Sequence, residues 1–293
     1  MRYILLGGNG YYGRNFQYFL KAQGNSEIIV IDKEITVQFK DIIYIQCNLT
    51  KEFNSTFKNT TQNTVIVNFA AISFVDDSIL NPDECINNNV KCLESAIQLY
   101  EKISNEAYVK LIHVSTDEVN VNKPNSEKSP YVKSKIMCED ILRNSGNINY
   151  TILRPVNLMG YCYNIKCKEL RQANECLLKK ISDRPDVVYI HGSGCQRRMF
   201  MSMTDACETL YSISIDKFKK TFPPEIVDIT DYPLLRTSNL QIKDIVVYLS
   251  KKYHFKYVYV DDPRGKYQDQ SYLKGECEIY NLDSDLKKIK DCI

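Results

Sequence analysis

The segment that decides the fold is Tyr3–Gly13, which reads YILLGGNGYYG. Its first four residues form a short apolar run, which predicts a buried strand. Gly7, Gly10 and Gly13 follow at regular spacing, and a helical pattern over residues 14–22 comes next. The segment therefore predicts a strand, a tight glycine turn and the start of a helix, in that order.

Outward from this segment, apolar runs and helical patterns alternate along the chain. Further apolar runs lie at residues 28–31, 42–45, 65–69, 110–114 and 150–153, and helical patterns at 82–100 and 134–143 separate the later ones. Runs that are apolar throughout are typical of strands covered on both faces. The alternation predicts an α/β fold with a doubly wound parallel sheet, the Rossmann arrangement. After residue 160 short strands, loops and helical patterns at 169–181 and 241–252 predict a smaller C-terminal α/β part folded over the strand ends of the doubly wound domain.

Composition excludes several classes of protein. The chain has 293 residues, 44% hydrophobic and 25% charged, which argues against a disordered or fibrous protein. Its net charge of +2 gives no general attraction to nucleic acid. The 11 cysteines show no C-x-x-C spacing, so we expect reduced thiols and neither a disulfide framework nor a metal site. We also expect a cytoplasmic protein without a membrane partner, because no signal peptide or membrane-spanning run is evident.

The glycine turn has the features of a dinucleotide-binding site. Its glycines permit close backbone approach to a pyrophosphate, and a helix N-terminus presents N–H groups to the phosphate charge. Asp32 ends the next predicted strand, where a carboxylate accepts from a ribose hydroxyl and repels a 2′-phosphate. This favours NAD over NADP, although Lys33 beside it weakens the preference. A glycine loop that serves packing alone is the less favoured alternative, given the strand, helix and acid together.

A second polar group follows the strand predicted at 110–114. Ser115–Glu118 reads STDE, and Tyr131 and Lys135 come after it on one face of a predicted helix. A nearby ammonium and the positive nicotinamide ring lower a tyrosine pKa, so Tyr131 is a candidate base at a substrate hydroxyl. Y-x-x-x-K spacing alone is common by chance, and only the glycine turn and the strand-end Ser-Thr make it specific.

Together these motifs resemble the extended short-chain dehydrogenase/reductase superfamily, and within it the nucleotide-sugar (dTDP- or UDP-glucose) 4,6-dehydratases. The resemblance runs from residue 1 to about residue 245. The further matching motifs are Asp32-Lys33, NFAAISFVDDS at 68–78, Asn89, STDEV at 115–119, Asn157-x-x-Gly160, GSGCQRRMF at 192–200 and Asp205.

The resemblance implies two binding sites and a domain division. The residues implied at NAD are Gly7, Gly10, Tyr11, Tyr12, Gly13, Asp32, Lys33, Asn48, Leu49, Ala70, Ala71, Ser73, Asn89, Tyr131 and Lys135. Those implied at the nucleotide sugar are Ser73, Asn157, Gln196, Arg198, Asp269 and Tyr272. The NAD-binding domain is expected at 1–160, completed by about 202–230, and the nucleotide-sugar-binding domain at 161–201 and 231–293. A homodimer joined through the helices at 82–100 and 134–143 is also implied.

The adjacent acids Asp117 and Glu118 favour a dehydratase, because epimerases of this fold usually carry small residues there. By analogy, Tyr131 takes the C4-hydroxyl proton and Thr116 hydrogen-bonds the C4 oxygen. Glu118 abstracts the C5 proton and Asp117 protonates the C6 hydroxyl as it leaves, while Lys135 holds the nicotinamide ribose. Thr116, Asp117, Glu118, Tyr131 and Lys135 are therefore the catalytic residues that the resemblance implies.

The sequence also departs from the family pattern. The segment between Thr116 and Tyr131 is shorter than usual, and Asn120-Val121 replaces Tyr-Gly. Phe74 stands in place of His, Asn48 in place of an acid, and Ser271 in place of a phosphate-binding Arg. A 4-epimerase or 4-reductase on the same scaffold, or a dinucleotide-binding sensor without turnover, stays open as an alternative. The sequence does not separate dTDP from UDP.

Overall fold

A computed structural model describes residues 1–24, 27–51, 62–104, 108–120, 124–159, 187–195, 197–216, 225–228 and 237–261. The strands are β1 (Arg2–Leu6), β2 (Glu27–Asp32), β3 (Ile43–Gln46), β4 (Thr64–Asn68), β5 (Val109–Val114), β6 (Tyr150–Arg154), β7 (Asn157–Met159), β8 (Val187–His191), β9 (Arg197–Ser202), β10 (Glu225–Asp228), β11 (Thr237–Gln241) and β12 (Lys256–Val260). The helices are α1 (Tyr11–Gln23), α2 (Val75–Leu80), α3 (Pro82–Ile103), α4 (Pro130–Arg143), α5 (Met203–Asp216) and α6 (Ile242–Tyr253).

Seven strands form one parallel sheet in the order β3-β2-β1-β4-β5-β6-β10. The order reverses between β1 and β4, so the connections after these strands diverge and leave a crevice at their carboxyl ends. The structure thus confirms the predicted doubly wound parallel sheet. It also places the glycine turn, which follows β1, at the edge where such folds bind ligands.

Two layers of helices cover the sheet. On one face, Phe16 and Leu20 of α1 pack with Met203 and Leu210 of α5. On the other, residues of α3 and α4 such as Leu93 pack against alternate positions of the same strands. Burial on both faces explains why the strands read as continuous apolar runs.

Helix α1 begins earlier than the predicted residue 14. Gly10, in an extended conformation, is the N-cap residue, and Tyr11 is already helical. The aromatic side chains of Tyr11 and Tyr12 are buried, so the apolar face of the helix starts directly after the glycine turn. The turn therefore passes straight into a helix N-terminus.

The remaining described strands form two small sheets, β11-β9-β7 and β12-β8. A separate apolar cluster, which includes Val188, Phe200, Val246 and Leu249, joins them to α6. Within the described ranges no helix combines the length and apolar character that a membrane span requires.

Candidate active site

Steric contacts explain Gly7 and Gly13, the first and third glycines of the Gly7-x-x-Gly10-x-x-Gly13 motif. Gly7 has a φ of +68°, and a Cβ there would lie 2.5 Å from the backbone of Ala70. A Cβ on Gly13 would lie 2.5 Å from the carbonyl oxygen of Gly8, where the helix meets the turn. At Gly10 the nearest atom would be 3.4 Å away, an ordinary contact. Packing does not demand glycine at this position, so its missing side chain leaves a cradle that suits close approach of a pyrophosphate.

This difference yields a matched pair of substitutions. Gly10→Ala is expected to leave the free energy of unfolding nearly unchanged and to weaken NAD binding at least about tenfold, because the new methyl group fills the cradle. Gly7→Ala is expected to destabilise the fold by about 1–3 kcal/mol or more, because of the backbone clash and the positive φ. Urea unfolding and NAD titration of both variants measure these effects. Unchanged NAD affinity in Gly10→Ala would show that the turn serves packing alone.

Asp32 is attached to the glycine turn by its carboxylate. The backbone N–H of Asn9 donates to Oδ2 of Asp32 at 2.9 Å, so the end of β2 and the turn are held together. Burial raises the pKa of Asp32, and the hydrogen bonds from the backbone N–H groups of Asn9, Glu34 and Lys33 oppose this rise. Lys33 is exposed beside it. The position fits the predicted contact with a ribose hydroxyl.

Sequence reasoning missed two side chains that brace this turn from α1. Arg14 donates through Nε to the carbonyl oxygen of Asn9 at 2.8 Å. Gln17, which is fully buried, donates to the carbonyl oxygen of Gly8 at 2.7 Å and accepts from the hydroxyl of Tyr44 at 3.0 Å. A buried polar side chain on an otherwise apolar helix face was the available signal.

Several residues that we expected at NAD have side chains that contact other groups of the protein. The Tyr12 hydroxyl donates to the carbonyl oxygen of Ala206 at 2.6 Å, and Leu49 lies in the core. Asn48 is exposed, and its side-chain oxygen accepts from the backbone N–H of Thr50 at 3.0 Å. For Tyr11 and Tyr12 the backbone N–H groups at the helix N-terminus, rather than the side chains, are thus the groups that could bind a phosphate.

The loop after β4 forms the opposite side of the crevice. Ala70 and Ala71 are half-buried and Ser73 is exposed. Asn89 of α3 holds this loop, since its side chain accepts from the N–H of Ile72 at 2.7 Å and donates to the carbonyl oxygen of Ile72 at 3.1 Å. The same amide donates to the hydroxyl of Ser134 on α4 at 2.8 Å.

The five predicted catalytic residues come together at the carboxyl end of β5. Tyr131 lies in the first turn of α4, and its side chain is hydrogen-bonded to that of Thr116. Lys135, one turn further, donates to the carbonyl oxygen of Val114 at 2.8 Å and lies 5.9 Å from the centroid of the Tyr131 ring.

Asp117 and Glu118 complete this group from a short 3-10 turn, Asp117–Asn120. Asp117 is buried and Glu118 is half-buried. Both carboxylates lie near enough to Tyr131 to affect its ionisation. The site thus brings one phenol, one hydroxyl, one ammonium and two carboxylates into a single cluster.

The pKa of Tyr131 differs from the expectation. Burial raises it first, and the negative charges of Glu118 and Asp117 raise it further. Burial also lowers the pKa of Lys135. The lowering of the Tyr131 pKa that we predicted from Lys135 is therefore wrong for the protein's own side chains, because burial and, after it, the two carboxylates raise this pKa.

His113 lies inside β5, the buried strand that the apolar run at 110–114 predicted. Its Nδ1 lies 3.2 Å from the side-chain nitrogen of Asn68, and its Nε2 has no hydrogen-bond partner among the described residues. Burial, and to a lesser degree the charge of Lys135, holds the pKa of His113 well below its ordinary value of 6.5.

This burial predicts an acid-sensitive fold. The native state keeps His113 neutral while the unfolded chain takes up a proton, so the free energy of unfolding is highest above about pH 6.5 and falls below it. The slope from this one group reaches about 1.4 kcal/mol per pH unit. Urea unfolding between about pH 5 and pH 7.5 measures it, and His113→Asn is expected to reduce it. An equal slope in the variant would contradict the assignment.

The predicted substrate residues are only partly within the described ranges. Asn157, on β7, donates its side-chain N–H to the carbonyl oxygen of Met199 at 3.1 Å and so joins β7 to β9. Arg198 is half-buried on β9. Gln196, Asp269 and Tyr272 lie outside the described residues. Across the described ranges, no group of three or more His, Cys, Asp or Glu is arranged to hold a metal ion.

The sequence of this chain is similar to those of enzymes that act on nucleotide sugars. UDP-glucose 4-epimerase of Streptococcus mutans is 28% identical over 178 residues, which make up 55% of this chain and 53% of that enzyme, about half its length. dTDP-glucose 4,6-dehydratase of Mycolicibacterium smegmatis is 24% identical over 239 residues, which make up 74% of this chain and 69% of that enzyme. The relatives of this chain thus include both a 4-epimerase and a 4,6-dehydratase.

The fold is also similar to solved structures. The crystal structure of DesIV, a dTDP-glucose 4,6-dehydratase from Streptomyces venezuelae with NAD and TYD bound, has a TM-score of 0.74 at 18% identity and covers 99% of this chain and 96% of that one. A model of the NAD-dependent epimerase/dehydratase family matches residues 3–229, which include the glycine turn and the Tyr131–Lys135 pair. The predicted superfamily and its NAD cofactor are thereby confirmed, and the chain belongs to the NAD-dependent epimerase/dehydratase family.

Proposed function

We propose that this protein dehydrates a nucleotide-activated glucose, dTDP- or UDP-glucose, to the 4-keto-6-deoxy sugar nucleotide through transient reduction of NAD. The observation that carries the proposal is the position of Asp117 and Glu118 beside Tyr131. Epimerisation needs proton and hydride transfer at C4 only. Dehydration also needs a base at C5 and an acid at C6, and two adjacent carboxylates with different exposure suit those tasks.

Bound NAD would supply the hydride acceptor at C4 and the hydride donor at C6. The glycine turn would hold its pyrophosphate at the start of α1, and Asp32 would accept from its adenosine ribose. Lys135, already fixed on the carbonyl oxygen of Val114, would hold the nicotinamide ribose.

Tyr131 takes the proton of the C4 hydroxyl as the ketone forms, and Thr116 hydrogen-bonds the same oxygen. The carboxylates disfavour the tyrosinate, so this step depends on positive charge at the site, from Lys135 and from oxidised NAD. Oxidised NAD would add a positive charge that is absent from the protein's own side chains, and a charge has a larger effect in a low-dielectric site than in water.

Glu118 then removes the C5 proton, which the adjacent C4 ketone makes acidic. The electron pair of that C–H bond forms the C5–C6 double bond while the C6–O bond breaks. Asp117 protonates the departing hydroxyl, which leaves as water. A hydride at C6 and a proton at C5 complete the 6-deoxy product, so no net NADH accumulates.

We further infer that Arg198, together with Ser73, Asn157, Gln196, Asp269 and Tyr272, binds the nucleotide diphosphate and the sugar. Residues 161–201 and 231–293 would form this substrate domain, and residues 1–160 with 202–230 the NAD-binding domain. A homodimer through α3 and α4 is part of the same proposal, and the 44% exposure of Met137 on α4 supports it.

A 4-epimerase is the second candidate, favoured by the 28% identity to a UDP-glucose 4-epimerase. The proposal is tested by incubating the NAD-loaded protein with dTDP-, UDP- and GDP-glucose and following the alkaline absorbance of a 4-keto sugar. We expect product with dTDP- or UDP-glucose. Conversion to the galactose isomer without a 4-keto product would favour the epimerase instead.

A further inference from the structure

One buried carboxylate outside the proposed catalytic group has four hydrogen-bond donors. Glu139, on α4 one turn beyond Lys135, is 1% exposed. Its Oε1 accepts from the hydroxyl of Ser115 at 2.6 Å and from Nε of Arg154 at 2.9 Å. Its Oε2 accepts from a terminal nitrogen of Arg154 and from Arg143 at 2.7 Å.

This arrangement is rigid for electrostatic reasons. A carboxylate that is removed from water must be paired, and a two-pronged contact with a planar guanidinium fixes its direction as well as its charge. The side chain of Arg154 is 14% exposed, whereas that of Arg143 is 38% exposed. Glu139 and Arg154 therefore form the buried part of the network, and Arg143 is its outer arm.

The network holds both ends of the turn that carries the catalytic residues. Ser115, bound directly to Glu139, precedes Thr116. Asn120, at the other end, accepts from Arg154 at 2.9 Å through its side-chain oxygen. Between them, the N–H of Asp117 donates to the carbonyl oxygen of Pro155 at 3.1 Å. Asn120 is also where the sequence departs from the family pattern.

We propose that Glu139 and Arg154 are positioning residues that fix Thr116, Asp117 and Glu118 relative to Tyr131, with Asn120 as the anchor of the shortened segment. The proposal rests on the proposed function for its effect on rate. Displacement of a catalytic group by about 1 Å costs roughly 100-fold in rate, so loss of an anchor is expected to lower kcat and to leave substrate affinity nearly unchanged.

Three substitutions test this, with the rate of the NAD-loaded protein and amide hydrogen exchange of residues 115–120 as readouts. Glu139→Gln, which keeps the shape, is expected to lower kcat about 10- to 100-fold with KM changed less than about threefold. Asn120→Ala, which removes the acceptor for Arg154 without burying a charge, is expected to lower kcat about 3- to 10-fold. Asn120→Asp keeps an acceptor for Arg154 and is expected to have a kcat close to the wild-type value. All amides of the turn should exchange faster in Glu139→Gln and Asn120→Ala.

Arg143→Gln is the matched control, because it removes the outer arm without touching the turn. It should leave kcat and exchange near wild-type values. Equal kcat and equal exchange in Asn120→Ala, Glu139→Gln and Arg143→Gln would overturn the positioning role. A wild-type protein that converts no nucleotide sugar would instead overturn the proposed function, and hydrogen exchange would still decide the positioning role.

Discussion

Tyr131→Phe is expected to lower kcat by about 10²- to 10⁴-fold, the range typical of a lost general acid or base. The Tyr131 phenol is hydrogen-bonded to Thr116, and its ring lies close to Lys135. Phenylalanine keeps the ring and removes the proton acceptor. Lys135 keeps its contact with the carbonyl oxygen of Val114, so NAD affinity should change little.

The measurement is the rate of 4-keto product formation together with NAD titration. Tyr150→Phe is a suitable control, because Tyr150 is buried at the amino end of β6, on the edge of the sheet opposite the site. If the rate of Tyr131→Phe were within about tenfold of the wild-type rate, another group would have to accept the proton of the C4 hydroxyl.

Glu118→Gln is expected to abolish dehydration, with a loss of at least about 100-fold, because glutamine cannot accept the C5 proton. Hydride transfer from C4 does not need this carboxylate, and removing its negative charge lowers the pKa of Tyr131. The variant should therefore reduce its bound NAD when it meets substrate and then stop. Reduced cofactor should accumulate in a single turnover, visible as NADH fluorescence.

Glu127→Gln, an exposed acid on the following short 3-10 turn, is the matched control and should behave as wild type. A 4-epimerase would respond differently, because its reaction stays at C4. Near-normal conversion of substrate by Glu118→Gln would therefore contradict the dehydratase assignment and support the epimerase.

The glycine turn and the main sheet could be predicted because their signals are local. Gly7 and Gly13 are required by contacts within a few ångströms, and the strands are apolar throughout because both faces are covered. The start of α1 was misplaced, since Tyr11 and Tyr12 follow a glycine and carry no helix-start signal in their side chains. The pairing of Tyr131 with Lys135 was predictable from helical spacing.

The support of the site was not predictable from spacing. Glu139 and Arg154 lie on different elements, and their pairing depends on how α4 packs against β6. Polar residues on the otherwise apolar face of α1 were a signal for the braces Arg14 and Gln17, but the backbone carbonyl groups that they bind could not be predicted from spacing. The pKa of Tyr131 was misjudged for a related reason, because helical spacing shows the ammonium of Lys135 but not the burial that opposes its effect.

In the proposed reaction hydride leaves C4 and returns to C6 of the same sugar, with loss of water between the two transfers. Mass spectrometry and NMR of the product from glucose nucleotide deuterated at C4 test it most directly. The expected product is lighter by one water and carries the deuterium at C6, with a solvent-derived proton at C5. A product of unchanged composition that keeps the deuterium at C4 would contradict it.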